Sequence, residues 1–226
     1  EINENDDASC IVLSGKGDSC SAGIDITMFR SDMSLNENLS STPQDRRELM
    51  DLVERMQNAF TTIAKSKVPT IALAHGFCIG GATSLVSACD IRLATKDAKF
   101  SIGETKLGLV ADVGVIQRMP KIVSSGDMNE LALTGRIFDG EHAERIRFVS
   151  KVYENSDELF AAGEKLANEI SSNSKRIVQA TKQALEKSSN LTVDQGLEYA
   201  KLWSTSFLIS EDLREGVMAF LEKRDP

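Results

Sequence analysis

Long hydrophobic runs are the first feature that this sequence of 226 residues lacks. No apolar stretch approaches the roughly 20 residues that a helix needs to cross a bilayer, which excludes a membrane-embedded protein. The first residues, Glu1 to Asp7, are acidic and polar, so the chain as given begins with neither a signal peptide nor a transit peptide. Hydrophobic residues make up 41% and charged residues 27% of the chain, the balance of a globular domain with a sizeable core.

Basic residues are also in short supply. Lysine and arginine together number 26 against 34 aspartates and glutamates, which gives a net charge of −8. A general nucleic-acid-binding protein needs a basic face to displace counterions from phosphates, so this charge argues against one. We expect an anionic ligand to be held by a local arrangement, such as the backbone amides at the start of a helix.

Motifs for metal binding, hydrolysis and phosphate binding are missing as well. Neither His75 nor His142 lies near a Ser or Cys nucleophile elbow, so we expect no hydrolytic triad and interpret His75 as a packed, hydrogen-bonded residue. Lys16, between two glycines, does not fit a P-loop. The four cysteines match no zinc-site spacing, and we expect free thiols and no metal site. They are Cys10, Cys20, Cys78 and Cys89.

Short apolar runs alternate with glycine turns and helical patterns in the first two thirds of the chain. Runs at 9–14, 70–74, 90–94 and 99–102 predict strands, and a glycine-led helix is predicted at 82–89. Thr42, Pro43 and Asp45 predict the capped start of another helix, which ends near Lys67. This order of strand, glycine turn, helix and strand indicates an α/β fold with largely parallel pairing.

Strand signals disappear after about Ser156, and helical patterns follow at 157–170, 174–186, 193–208 and 211–223. The third of these helices is apolar over much of its circumference. We therefore expect the helical tail to pack on the core or on a neighbouring subunit. The sequence predicts a core at residues 1–155 and a C-terminal helical region at residues 156–226.

Two glycine-containing segments stand out as candidate ligand sites. Ser21–Asp25 follows a strand and turn, and its bend either exposes the amide of Ala22 to a ligand or merely permits a tight turn. Cys78–Ala82 opens a helix, and its paired glycines would let a thioester oxygen approach unpaired amide donors as it becomes an enolate. Close packing of helix on strand is the alternative interpretation of that glycine pair.

A third segment, Phe100–Gly114, holds two carboxylates among small and apolar residues. Glu104 and Asp112 are either helix caps or acids for proton transfer, and Asp112 is placed to cap a helix running to Val123. A carboxylate in an apolar pocket is desolvated and shifts toward protonation near neutral pH, which suits it to proton transfer.

The three segments in this order resemble the crotonase (enoyl-CoA hydratase/isomerase) superfamily. The resemblance runs from Cys10 to the C-terminal helices and includes His75–Gly81, Leu107-Gly-Leu109 and Gln117–Lys121. It implies a spiral core of ββα turns followed by C-terminal helices that mediate trimerisation, usually within hexamers. Similar proteins have a further strand pair and helix before the position of Glu1, so the resemblance also implies that the N-terminal strands are missing from this chain.

The resemblance also implies roles for particular residues. It places the oxyanion hole at the backbone amides of Ala22 and Gly81. It implies that Glu104 and Asp112 are the catalytic acids, as in dienoyl-CoA isomerases, although those isomerases usually carry a third acid where this chain has Ser84. The residues implied to bind substrate and coenzyme A are Ser21, Ala22, Gly23, Ile24, Asp25 and Gly81.

The function implied is the shift of a 3,5-dienoyl-CoA to a 2,4-dienoyl-CoA in fatty-acid β-oxidation, in mitochondria or peroxisomes. We expect an acyl-CoA substrate that brings its own coenzyme A, no separate cofactor, no nucleic-acid partner, no membrane span and a homo-oligomer of three or six chains. The alternatives are an enoyl-CoA hydratase using Glu104 alone, a Δ3-Δ2-enoyl-CoA isomerase and, from another class, a non-catalytic or RNA-binding crotonase-fold protein.

Overall fold

The computed structural model of the protein describes residues 8–25 and 42–224. Its described residues form two compact units, of which the larger contains residues 13–25, 42–65 and 71–161 and the smaller contains residues 8–12, 66–70 and 162–224. The boundary predicted between residues 155 and 156 stays a prediction. The sequence also predicts a polar loop rich in Ser and Asn at 31–41, and these residues lie outside the described ones.

Two small sheets build the α/β part of the chain. The strands are β1 (Ile11–Ser14), β2 (Thr70–Ala74), β3 (Phe77–Ile79), β4 (Ile91–Thr95), β5 (Lys99–Ser101), β6 (Phe138–Asp139) and β7 (Lys151–Tyr153). One sheet has the order β1-β2-β4-β7, and the other has the order β3-β5-β6. The β2–β4, β4–β7 and β3–β5 pairs are parallel, as predicted, while β5 and β6 are antiparallel. Every residue of β2 is buried, which explains why the run reads as continuously apolar.

Helices connect and cover these strands. The α-helices are α1 (Pro43–Ala64), α2 (Gly81–Ala88), α3 (Val115–Arg118), α4 (Ser125–Thr134), α5 (Gly140–Arg145), α6 (Ser156–Ser171), α7 (Lys175–Ser188), α8 (Val193–Phe207) and α9 (Glu211–Glu222). Single 3₁₀ turns lie at Gly103–Leu107 and Met119–Lys121. Within the residues that the structure describes, no helix combines the length and the apolar character that a membrane span requires.

Helix α1 begins where the sequence predicts. The backbone N–H of Asp45 donates to Thr42 Oγ1 (3.2 Å), and the N–H of Thr42 donates to Asp45 Oδ2 (2.8 Å), which forms a capping box. Such a cap stabilises a helix by about 1 kcal/mol. The helix ends at Ala64, a little earlier than the expected stop near Lys67. The sequence spaces apolar side chains along one side of this helix, and they are half-buried at Val53, Met56, Phe60 and Ile63 but exposed at Leu49.

The core of the larger unit lies between α2, α3, α4 and the strands. Its largest buried side chains include Phe100 and Phe148, whose rings meet edge to face at 5.5 Å. His75 is 2% exposed, and its Nε2 atom lies 2.9 Å from the carbonyl oxygen of Gly17. This confirms the interpretation of His75 as a packed, hydrogen-bonded residue. All four cysteines are free thiols, as expected, and Cys78 and Cys89 are buried.

The middle of the chain differs from the sequence interpretation in two places. Asp112 does not cap a helix that runs to Val123, because α3 starts at Val115 with Gly114 as its N-cap and lasts only four residues. The strand β3 was not predicted, since Phe77–Ile79 is only three residues long and looks like part of the glycine loop that follows it. Short elements such as these carry too few residues to show a period.

The four C-terminal helices were predicted to within two residues at each end. Their amphipathic patterns are long enough to be read from the sequence. Within the smaller unit, the Lys182 ammonium donates to the carbonyl oxygen of Val68 (3.0 Å), and the Ser174 hydroxyl donates to Asp212 Oδ1 (2.5 Å). Large apolar side chains of α8 and α9, including Leu202 (65%) and Phe220 (83%), are nevertheless strongly exposed.

Candidate active site

Main-chain hydrogen bonds connect the first candidate segment, Ser21–Asp25, to β3, the strand that precedes α2. The N–H of Ser21 donates to the carbonyl of Phe77 (2.8 Å), and the N–H of Ile79 donates to the carbonyl of Ser21 (3.0 Å). Gly23 has a φ of +91°, and a Cβ added there would lie 2.9 Å from the carbonyl oxygen of Ile79. Only glycine combines this conformation with such a close approach, so Gly23 lets the loop lie against the residues that precede α2.

The amides of Ala22 and Gly81 both belong to residues that line one cavity. Among residues 8–25 and 42–224, neither amide donates a hydrogen bond. Gly81 is the first residue of α2, where the backbone N–H groups have no partner within the helix and the helix dipole is positive. These two amides have the properties that an oxyanion hole requires, and their assignment to one stays a prediction.

The cavity has a volume of about 350 Å³ and a largely apolar wall. Its apolar lining residues are about half exposed, so the cavity opens to the surface through hydrophobic side chains. These are Ile24 (53%), Phe77 (52%), Leu107 (53%), Leu109 (46%) and Ile137 (55%). Such a mouth suits an apolar acyl chain, and the two amides suit the carbonyl oxygen at its end.

Glu104 places a carboxyl group in this cavity. It belongs to the 3₁₀ turn Gly103–Leu107, and its Oε1 atom lies 3.5 Å from the position of a Cβ built on Gly80. Burial raises the pKa of Glu104 above its usual value, a hydrogen bond to its own backbone amide opposes this, and the charge of Asp112 raises the pKa further. A carboxyl group with a raised pKa is a stronger base once it is ionised, which suits Glu104 to proton abstraction.

Asp112 has a different position. It is exposed and does not line the cavity, so the expectation that an apolar pocket desolvates both acids was wrong for Asp112. Within the segment Phe100–Gly114, Leu109 is the last residue that lines the cavity. The carboxyl group of Asp112 is nevertheless close enough for its charge to act on Glu104.

The segment that carries Asp112 is held by two side chains that the sequence did not reveal as functional. Gln57 Nε2, on α1, donates to the backbone carbonyl of Asp112 (2.7 Å). Arg118 donates to the carbonyl of Val113 (3.2 Å) and to Thr61 Oγ1 (3.1 Å), and its pKa is lowered by burial. Gln57 lies 55 residues before Asp112, so no local pattern connects the two.

Ser84 stands at the position where the resemblance implies a third acid. It lies on α2, it has no exposed surface, and its hydroxyl oxygen has no hydrogen-bond partner in the described part of the chain. A serine within a run of small helical residues gives no sign of this in the sequence. The remaining predicted binding residues, Ser21 and Asp25, are exposed and lie on either side of Gly23, outside the lining of this cavity.

A second cavity of similar volume is also lined by Gly23 and Gly81. It measures about 340 Å³ and is lined mainly by apolar side chains, including Leu13, Phe60 and Val86, with no carboxylate among its lining residues. In residues 8–25 and 42–224 no group of three or more potential metal ligands occurs. The cavity that contains Glu104 is therefore the candidate active site.

Comparison with known proteins agrees with the resemblance to the crotonase superfamily. The family described as enoyl-CoA hydratase/isomerase matches residues 1–226. The chain is 42% identical to a mitochondrial Delta(3,5)-Delta(2,4)-dienoyl-CoA isomerase of Dictyostelium discoideum, covering 100% of this chain and 77% of that protein. It is 40% identical to the peroxisomal Delta(3,5)-Delta(2,4)-dienoyl-CoA isomerase of Arabidopsis thaliana, covering 100% of this chain and 81% of that one.

The fold agrees with these relatives. The crystal structure of an enoyl-CoA hydratase from Bacillus anthracis superposes with a TM-score of 0.88 at 26% identity, covering 100% of this chain and 83% of that one. The resemblance to the crotonase superfamily, and within it to the dienoyl-CoA isomerases, is confirmed. The chain belongs to the enoyl-CoA hydratase/isomerase family, and it is an enzyme of that family with a crotonase-like α/β fold.

Proposed function

We propose that the protein isomerises 3,5-dienoyl-CoA thioesters to 2,4-dienoyl-CoA thioesters. The observation that carries this proposal is the position of Glu104, whose half-buried carboxyl group shares one apolar cavity with the unpaired amides of Ala22 and Gly81. A base beside an oxyanion hole is the arrangement needed to remove a proton next to a thioester carbonyl.

The reaction removes one proton from the substrate and adds another proton to it. Glu104 removes a proton from C2, and the electrons of that C–H bond move into the thioester to give a dienolate. The amides of Ala22 and Gly81 donate hydrogen bonds to the enolate oxygen. Protonation at C6 by Asp112 then returns the electrons to the chain, leaving double bonds at C2 and C4 in conjugation with the thioester.

Two observations favour the isomerase over a hydratase. Hydration by two acids needs a second carboxylate beside Glu104, and the family position for that acid is occupied by Ser84. The relatives named as dienoyl-CoA isomerases are 42% and 40% identical to this chain, whereas the structurally similar enoyl-CoA hydratase is 26% identical. The mechanism needs no cofactor besides the coenzyme A of the substrate.

The C-terminal helices support a homo-oligomer, which we propose to be a trimer or a hexamer. Within the smaller unit, α8 and α9 border an apolar groove of about 530 Å³, lined by residues such as Phe207, Leu213 and Phe220. Ile209, between these helices, is 96% exposed. Apolar surface of this extent is typical of an interface between subunits. Multi-angle light scattering of the purified protein measures the number of chains directly, and a monomer would contradict this proposal.

The proposed cellular location follows the relatives alone. Those similar to this chain are named mitochondrial or peroxisomal, and we propose one of these two organelles for this protein. Imaging of the tagged full-length gene product with a marker for each organelle tests the assignment. A signal that follows neither marker would contradict it.

The function itself is tested with two substrates in parallel. Formation of 2,4-dienoyl-CoA from 3,5-octadienoyl-CoA is followed by the absorbance of the conjugated product, and hydration of 2-octenoyl-CoA is followed by loss of enoyl absorbance. We expect turnover of the first and little of the second. Hydration as fast as isomerisation would overturn the assignment, and a 3-enoyl-CoA substrate tests the remaining alternative of a Δ3-Δ2 isomerase.

A further inference from the structure

Four buried side-chain atoms of the larger unit have no hydrogen-bond partner among the described residues: His75 Nδ1, Thr95 Oγ1, the hydroxyl oxygen of Ser84 and Glu104 Oε2. The last two concern the candidate active site, because Glu104 lines its cavity and Ser84 lies on α2, whose first residue lines it too. Ser84 is 0% exposed. An unsatisfied buried hydroxyl destabilises the folded state, and proteins seldom retain one unless a bound water molecule or ligand satisfies it.

The neighbouring hydroxyls of the same helix show the contrast. Ser87 donates to the carbonyl of Ser84 (2.7 Å), and Thr83 lies 2.6 Å from the carbonyl oxygen of Cys78 and 3.0 Å from that of Ser101. Both are buried, and both are satisfied by nearby backbone. Ser84 differs from them because its hydroxyl faces no backbone acceptor within reach.

Ser84 and the carboxyl group of Glu104 lie against the same turn of α2. The N–H of Ser84 donates to the carbonyl of Gly80 (3.0 Å), so Ser84 is one helical turn after Gly80. Helical side chains incline toward the N-terminus of their helix, which directs the Ser84 hydroxyl back over that turn. Glu104 Oε1 lies 3.5 Å from where a Cβ on Gly80 would be. Both groups are therefore placed at the first turn of α2.

We propose that Ser84 is a positioning residue that holds the carboxylate of Glu104 through one bound water molecule. The water accepts a hydrogen bond from the Ser84 hydroxyl and donates one to Glu104 Oε2, which satisfies both atoms. This deepens the proposed function, because it assigns a residue that orients the base. The hydrogen bond itself is a property of the free protein and does not depend on which substrate is used.

The proposed hydrogen bond determines whether the pKa of Glu104 rises or falls when Ser84 is replaced. A hydrogen bond to the ionised carboxylate lowers its pKa and so opposes the increase that burial causes. The charged groups near the carboxyl group are Asp112, which raises its pKa, and Lys106, which lines the same cavity. Arg136, between two lining residues, is paired with Glu130 at 2.6 Å. Replacing Ser84 changes none of these charges.

The experiment is a titration of Glu104 by NMR in protein labelled with ¹³C at the glutamate carboxyl carbon. The resonance of Glu104 is identified by its loss in Glu104→Gln. We expect Ser84→Ala to raise the pKa of Glu104 by about one unit, the size of one hydrogen bond to a charged group. The matched control is Ser87→Ala, which removes a buried hydroxyl of the same helix and should leave this pKa unchanged.

An unchanged pKa in Ser84→Ala, or an equal shift in Ser87→Ala, overturns the proposal. Loss of folding is not the expected outcome, because Ala is smaller than Ser and favours the helix. Ser84→Cys, with a similar shape and a weaker donor, should give an intermediate shift. The titration needs no substrate, so a shift in the pKa of Glu104 without any dienoyl-CoA isomerase activity would refute the proposed function and leave this inference standing.

Discussion

Glu104 and Asp112 are the two carboxylates that the proposed mechanism pairs, and the structure gives them opposite environments. Glu104 is half-buried in an apolar cavity, and burial raises its pKa. Asp112 is exposed, and its position is set through its backbone carbonyl by Gln57. In the proposed mechanism, the two proton transfers therefore depend on different physical causes, desolvation for the base and main-chain placement for the acid.

The replacement of Glu104 should have the largest effect on activity. Glu104→Gln keeps the size of the side chain and removes the base, so we expect kcat for 3,5-dienoyl-CoA to fall by about 10³-fold, with coenzyme A binding nearly unchanged. Steady-state kinetics and calorimetry with an acyl-CoA measure the two quantities. Glu130→Gln, which removes a carboxylate paired with Arg136 on the surface, is the control and should keep most of the activity.

Asp112→Asn should separate the two proton transfers. We expect kcat to fall by about 10²-fold, because water at the exposed site can replace part of the acid's role. In D₂O the variant should still exchange the C2 proton of the substrate, since Glu104 remains, while Glu104→Gln should lose that exchange. Mass spectrometry of recovered substrate measures it. Loss of exchange in both variants would contradict the assignment of separate roles.

The anchor of Asp112 can be tested without touching either acid. Gln57→Leu removes the donor to the Asp112 carbonyl, so we expect about a tenfold fall in kcat with a smaller change in KM, because the acid is displaced and the cavity is not. Gln44→Leu is a matched control, since Gln44 is on the same helix and its side chain donates to Glu48 Oε1 (2.9 Å). Equal effects of the two substitutions would show that Gln57 acts through helix stability alone.

The same contrast explains which features of the fold and the site could be predicted from the sequence. Glu104, Asp112 and the glycine segments could be identified because each lies in a short local pattern, and the long C-terminal helices because their periodicity extends over several turns. The exposure of Asp112 and the roles of Gln57 and Ser84 could not be predicted. They arise from contacts between residues distant along the chain, such as the 55-residue separation of Gln57 and Asp112, or from a missing partner that only the packed structure reveals.

The smallest expected effect is on the free energy of unfolding, and it depends on the burial of Glu104. Because burial raises the pKa of Glu104 in the folded protein, the protonated form favours folding. This contribution is fully present below the pKa of an unfolded glutamate and is lost as the pH rises through the folded value. Relative to the wild type, Glu104→Gln should therefore gain stability toward neutral pH and show a smaller difference at pH 4. Thermal melts across this range measure the change. A difference between Glu104→Gln and the wild type that does not grow toward neutral pH would mean that burial does not raise the pKa of this carboxyl group.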